Sequence, residues 1–429
     1  MTINAEDTLA TEVPVAAAAR RADVHDPPTG GIFGKPRGRE TLRRITRDGS
    51  VRAALSAFVL TRVLVIVVII LTAQFQRVAT GSYDETREVY LSLTKLPVSR
   101  LLRHAVLVAD VNWYLTIVEH GYTKEEFNTE GNRNWAFFPL HPLLWSWASS
   151  VTGEYLLTGM TLVAILLLLS LILLHKTVLA FGYDEGVADR TVFYLAAFPV
   201  SYFFSLPLTE SLFLFLTVAS FYAARREHWW LAAVFGALAS ATRVTGVLLL
   251  PALILLYWQT YRRIWPPTHY LVLFIIPSGL FAFMCYLYTI TGNAFAFKDV
   301  LVTWGRRPTF FLMTLIDYFR DPFLIASPWD FRLINYAAAA LVVVCGIVLV
   351  KWRAWSLAFY TLASSFVALS SGLLQSQARY AMVVFPVFIT LAAAAGKRPR
   401  LDQAIRTASL VLLCLMTLLF AMRFTIVMS

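Results

Sequence analysis

From residue 54 to residue 428 the chain runs from one apolar stretch to the next, and this succession limits the fold more than any other feature. The stretches fall at about 54–75, 136–150, 155–179, 190–206, 208–224, 229–258, 269–290, 334–350, 355–371, 379–396 and 405–428. A helix needs about 20 apolar residues to cross the hydrocarbon of a bilayer. Inside lipid the backbone has no water to bond, so runs of this kind become helices that satisfy their own amides. Composition agrees: 58% of residues are hydrophobic and 15% charged, where a soluble domain carries about 25%. The expected fold is an all-α, polytopic transmembrane helix bundle of about 10–11 spans. The 136–150 run is short and contains His141, Pro139 and Pro142, so it is expected to insert only partway.

Residues 1–50 precede the bundle as a polar, basic tail, expected to be disordered and cytoplasmic, with residues 51–429 forming the membrane domain. No short apolar run sits near Met1, so a secretory signal is not expected. Lys35, Arg37, Arg39, Arg43, Arg44 and Arg47 form a juxtamembrane cluster suited to topology control or to an anionic leaflet. With the N-terminus inside, the cytoplasmic turns carry Lys176 and Arg190; Arg225 and Arg226; Arg262 and Arg263; Lys351 and Arg353; and Lys397, Arg398 and Arg400. Every one is basic, as the positive-inside bias requires. The net charge of +11 is thereby explained without a nucleic-acid partner. Segments 76–135 and 291–330 fall outside. Cys285, Cys345 and Cys414 sit in apolar runs without metal spacing. No metal and no cofactor are expected, and no internal repeat is evident.

Charged groups at membrane depth cost about 2.5–3.5 kcal/mol on insertion scales, and such residues usually face a cavity. Four reach the outer end of the bundle: Asp110 in an aromatic stretch, Glu210 in a turn between runs, Arg243 within 229–258, and Arg379, followed by Tyr380, at the start of a run. The 229–258 run is too long for one span and too short for two, so two short helices meeting at Arg243 are expected. Arg62 lies in the first run, where snorkelling or pairing is expected. His120 and His141 lack ligand-spaced partners and are expected to be structural. An ion pair between Glu210 and Arg243 that tethers helices is one reading. The other is chemical: arginine forks bind phosphate, and a carboxylate beside an apolar wall can act as a base toward a hydroxyl. Together they suit group transfer from a lipid phosphate.

The motifs occur in a recognisable order. They are Ala109-Asp110-Val111-Asn112-Trp113-Tyr114-Leu115 running into His120-Gly121-Tyr122; Ala136-Phe137-Phe138-Pro139-Leu140-His141-Pro142; Phe198-Pro199 through Thr209-Glu210-Ser211; Thr242-Arg243-Val244-Thr245-Gly246; and Ala378-Arg379-Tyr380 with Phe385-Pro386. Over roughly residues 55–395 the chain resembles the PIG-V-like mannosyltransferases, multispanning glycosyltransferases of the GT-C class. The resemblance implies a GT-C-type bundle whose large first extracytoplasmic loop carries interfacial helices. It implies a polyprenyl-phosphate-sugar donor, an inverting single displacement, and Asp110 as catalytic base. Ala109 departs from the family, which often has Trp there. On this reading Arg243 and Arg379 hold the lipid phosphate, Glu210 orients a sugar hydroxyl or an arginine, and Tyr380 belongs to the substrate site. The acceptor is then an envelope glycan, lipid or protein, and the site faces outward from the cell membrane. A lipid or glycan transporter or flippase is the alternative, using the same charges as a path, and a non-catalytic assembly protein is a third.

The charge pattern makes the orientation testable. A membrane-impermeant thiol reagent added outside intact cells is expected to label a cysteine placed at Glu125 and to spare one at Arg226. The reverse pattern inverts the topology.

Overall fold

The computed structural model describes residues 48–79, 106–107, 110–262, 270–320, 323–327 and 330–422. The basic cluster of the tail, and residues 80–105 and 108–109 of segment 76–135, lie outside the described residues. The chain begins with α1 (Gly49–Ala79), and after it come α2 (Asp110–His120) and α3 (Leu140–Thr152). Next is α4 (Tyr155–Ala180), capped where the Glu154 carboxylate accepts the Leu157 amide at 2.7 Å. α5 (Glu185–Ala196) is capped by Asp184 on the Val187 amide at 2.8 Å. A 3-10 turn, Ser201–Ser205, leads to α6 (Glu210–Arg225), then α7 (Trp229–Ser240) and α8 (Leu249–Tyr261). α9 (Ser278–Thr291), the short α10 (Ala296–Asp299) and α11 (Phe311–Arg320) follow. A small antiparallel hairpin, β1 (Ile325–Ser327) with β2 (Asp330–Phe331), precedes α12 (Arg332–Lys351) and α13 (Trp355–Leu369). The chain closes with α14 (Gln377–Ala381), α15 (Pro386–Ala395) and α16 (Pro399–Met422).

The protein is thus an all-α polytopic membrane bundle. Among the described residues, six segments are long and apolar enough to cross a bilayer: Gly49–Thr72, Tyr155–Ala180, Val244–Tyr261, Leu271–Thr291, Arg332–Lys351 and Pro399–Met422. The other apolar runs are built as shorter or broken helices. The 190–206 run divides into α5 and the 3-10 turn, and 379–396 divides into α14 and α15. Pro199 and Pro386 sit at these divisions, and proline lacks the amide that an unbroken helix needs. The 229–258 run breaks at Arg243, whose backbone is extended (φ −155°, ψ 144°), so the two short helices expected there are α7 and α8, joined by the 3-10 turn Val244–Leu248.

α6 is the centre. Nearly all of its residues are buried, and it packs between α4 and α7. α1 lies against α4, α5 and α16, and α13 lies against α8 and α12. Arg62 of α1 neither snorkels nor meets a carboxylate among the described residues, contrary to the sequence expectation. It is buried, and Nη1 donates to the Ser201 carbonyl at 2.7 Å and Ser205 Oγ at 2.9 Å. Nη2 donates to the Ala196 carbonyl at 3.2 Å and Ser201 Oγ at 2.8 Å. The guanidinium therefore satisfies acceptors freed where α5 ends, a need that every helix terminus has.

The break at Arg243 depends on a glycine. A Cβ on Gly246 would lie 2.4 Å from the Ala239 carbonyl carbon and 2.4 Å from the Ser240 amide nitrogen. Both obstacles are backbone, so the turn cannot fold back onto α7 with any larger residue. Gly246→Ala is expected to lower the thermal unfolding midpoint in detergent and to reduce accumulation. Gly49→Ala, where a Cβ meets nothing within 4 Å, is the matched control and should be neutral.

Candidate active site

Asp110 is the first residue of α2, a position where the helix dipole favours a carboxylate. An aromatic scaffold fixes this helix. Tyr114 of α2 packs edge-on to Phe137 at 5.1 Å and to His141 at 5.5 Å between ring centroids. Ile117, Tyr122, Trp135 and Phe138 join Phe283 and Leu287 of α9 and Phe297 of α10 in one buried cluster. Polar groups in the connecting loop are tied internally. Tyr122 Oη donates to the Phe137 carbonyl at 2.6 Å, and Trp135 Nε1 to the Thr123 carbonyl at 2.8 Å. Asn134 accepts the Thr123 amide at 3.1 Å and donates to the Gly121 carbonyl at 3.1 Å. Burial pushes the Tyr122 hydroxyl well above its usual pKa. In the same loop the guanidinium of Arg133 bonds Glu125 and holds that carboxyl below its usual range. The motifs that straddle residues 110–142 are therefore mostly scaffold around one acid.

The four charged residues singled out in the sequence meet at one place. Glu210, the first residue of α6, is fully buried. Its Oε1 accepts from Arg379 Nε at 2.5 Å and from Arg243 Nη1 at 2.9 Å. Arg379 Nη1 in turn binds Asp110 Oδ2. The network thus reads Asp110–Arg379–Glu210–Arg243, with charges that cancel. Rings cover the guanidiniums. Arg379 lies 5.1 Å from the Phe203 centroid, and Arg243 lies 5.0 Å from Tyr380 and 5.7 Å from Phe213. Asp110 is the accessible carboxylate, with a side chain 39% exposed against 0% for Glu210.

A cavity of about 840 Å³ opens in front of this network, within the range of small-molecule sites, roughly 300–1,000 Å³. Asp110, Arg243, Arg379 and Tyr380 line it, and Glu210 stands behind the wall. Of the two tasks the sequence left open for Glu210, holding an arginine is the one its contacts perform. The cavity also gathers Lys298, Asp299, Arg306 and Arg307, which sequence reasoning missed. Arg306 donates to Ser371 Oγ at 2.8 Å, to the Gln375 carbonyl at 3.3 Å and to Tyr380 Oη at 3.4 Å. A signal for it existed: two adjacent arginines in segment 291–330 run against the charge bias that assigned that segment to the outside. Among the described residues no group of His, Cys, Asp and Glu has the arrangement of a metal site.

Glu210 holds two guanidiniums that are themselves 10% and 17% exposed. Removing one partner of such a buried pair costs about 3–5 kcal/mol. Glu210→Ala is therefore expected to lower the unfolding midpoint strongly. Asp110→Asn removes a half-exposed partner worth about 0–1 kcal/mol and should leave the midpoint nearly unchanged. Equal effects from the two variants would mean that Asp110 shares the structural task.

No protein-family model and no curated protein matches the chain. Among solved structures it is similar to the Archaeoglobus fulgidus oligosaccharyltransferase, crystallised tethered through a disulfide bond with an acceptor peptide containing the NVT sequon. The identity is 13% and the TM-score 0.38, over 72% of this chain and 50% of that one, so the chain spans half the length of that neighbour.

Proposed function

We propose that the protein is a membrane glycosyltransferase. It takes a sugar from a polyprenyl-phosphate-sugar donor, mannose on the family resemblance, and passes it to an acceptor in the cell envelope at the extracytoplasmic face. The observation that carries this reading is the cavity wall, which joins two carboxylates, Asp110 and Asp299, to five cationic side chains: Arg243, Lys298, Arg306, Arg307 and Arg379. Asp299 accepts from Asn293 Nδ2 at 3.0 Å, and Asp110 is the one joined to the arginine network. That balance suits an anionic ligand and a base. The mouth supports a lipid ligand. Val244, Phe295, Val302 and Val367 line the cavity and are also exposed, and Val244 opens the membrane-crossing segment Val244–Tyr261. An apolar rim at membrane depth gives an isoprenoid tail a lateral exit into the bilayer.

The chemistry follows from these positions. Asp110 takes the proton of an acceptor hydroxyl as that oxygen attacks the anomeric carbon. The bond from that carbon to the phosphate oxygen breaks, which inverts the configuration, and the lipid phosphate leaves with the bonding pair. Arg243 and Arg379 meet the charge that develops there, with Arg306 beside them across Tyr380. Preorganised cations in a site screened from water are worth more than the same groups in solution. Glu210 keeps both network arginines aimed, and the aromatic scaffold keeps Asp110 at a fixed height. No cofactor takes part in this scheme.

Turnover in proteoliposomes carrying polyprenyl-phosphate-mannose tests the scheme. Asp110→Asn is expected to lose about 100- to 10,000-fold in rate with the membrane fold intact, whereas Glu125→Gln should stay close to wild type. Arg243→Lys and Arg379→Lys keep charge but lose the planar fork, and should raise the donor KM. Near wild-type turnover in a folded Asp110→Asn variant would remove Asp110 as the base.

A further inference from the structure

α11 is unlike the other helices, because its surface divides into three sectors. Phe311, Thr314 and Leu315 turn toward the bundle. Thr314 is 1% exposed, and Phe311 and Leu315 pack on a cluster of Ala339, Leu369 and Leu374. Leu312, Ile316 and Phe319 turn away and are 45%, 50% and 69% exposed. At 3.6 residues per turn these three fall within about 60° of arc. Asp317 and Arg320 stand in the remaining sector on either side of Met313, itself 55% exposed, and are paired at 3.7 Å with side chains 65% and 74% exposed.

The height of α11 says what covers the apolar sector. Phe311 packs on Phe366 at 5.5 Å, one turn from the end of α13, and Phe319 lies 6.2 Å from Tyr336, in the second turn of α12. The Thr309 amide donates to the Ser370 carbonyl at 3.1 Å, which ties the start of α11 to the end of α13. α11 therefore runs beside the terminal turns of its neighbours, and α12 is a membrane-crossing segment. That level is where hydrocarbon gives way to headgroups. A helix with one apolar flank and one charged flank at this level matches the physics of interfacial helices.

We propose that α11 lies in the membrane plane, at the headgroup boundary of the leaflet on the Asp110 side. Leu312, Ile316 and Phe319 enter the acyl chains, and Asp317 and Arg320 stay in water. The partner is phospholipid, and this assignment does not depend on the enzymatic reading. Its consequence concerns the residues just before the helix. Arg306 and Arg307 line the cavity and are joined to α11 through Pro308, Thr309 and Phe310. Anchoring α11 at the boundary holds both arginines at the depth of lipid phosphates.

The test uses the full chain in phospholipid nanodiscs, with Cys285, Cys345 and Cys414 replaced. Single nitroxide labels go at Leu312→Cys, Ile316→Cys, Phe319→Cys and Asp317→Cys. Phe281→Cys, on an exposed position of the crossing segment Leu271–Thr291, supplies the lipid reference. Collision with oxygen is expected to exceed collision with a water-soluble nickel chelate at the first three sites, as at Phe281. At Asp317 the chelate should dominate. Chelate access at all four sites would place α11 in water, and poor access by both agents at the first three would mean that protein covers that flank. Either result overturns the proposal.

Discussion

A carboxylate without exposure, held between two guanidiniums, is the constraint on which the rest of the molecule depends. Glu210 opens the most buried helix, Arg243 comes from the break after α7, and Arg379 comes from the short α14. Three elements distant in sequence must converge for that charge to be tolerated in an apolar interior. Desolvating the ions costs several kcal/mol each and is offset only when geometry and hydrogen bonds are good. The broken helices become intelligible in this light. An unbroken α7–α8 span would carry Arg243 past its acceptor, and the extended residue at the break lets it reach inward. The network has a second effect, because Arg379 spends one nitrogen on Glu210 and another on Asp110. The accessible acid is thus oriented by the group that neutralises the buried one.

Much of this was legible in the sequence, and the reason is economy. Charges are so expensive among apolar residues that the few present mark the site, which is how Asp110, Glu210, Arg243 and Arg379 could be named without knowing that they touch. The division at Arg243 could be read from the length of its run. What escaped was whatever rests on tertiary accidents. Arg62 binds backbone carbonyls and serines of the α5 terminus, and no spacing announces a carbonyl as a partner. Glu210 could be assigned to the site but not to the layer behind its wall, since one side-chain length decides between them. Arg306 and Arg307 were passed over because they lie in a polar segment, where arginine is unremarked. Their meaning came only from the cavity that closes around them.

The aromatic motifs teach a related point. Phe137 and Phe138 belong to the runs that carry the family resemblance; they line the cavity, and they also pack with Trp135 on α2, α9 and α10. Motif residues at a site can be wall and scaffold at once. Here they fix the pitch and height of an eleven-residue helix, so that its first side chain projects into the cavity. A loop of ordinary polar composition could reach the same place but could not hold it.

The contacts of Arg62 bear on how the molecule is made. Its acceptors begin at Ala196, 134 residues further along the chain. At about 5–20 residues per second of synthesis, the ribosome needs roughly 7–27 s to deliver them. Through that interval Arg62 sits in the crossing segment of α1 without these acceptors, a burden of about 2.5–3.5 kcal/mol on the insertion scale. The first helix is therefore not settled when it is made, and its seating waits until α5 and the turn after it have emerged and docked. A newborn chain stalled before that point retains an arginine in the bilayer without its acceptors.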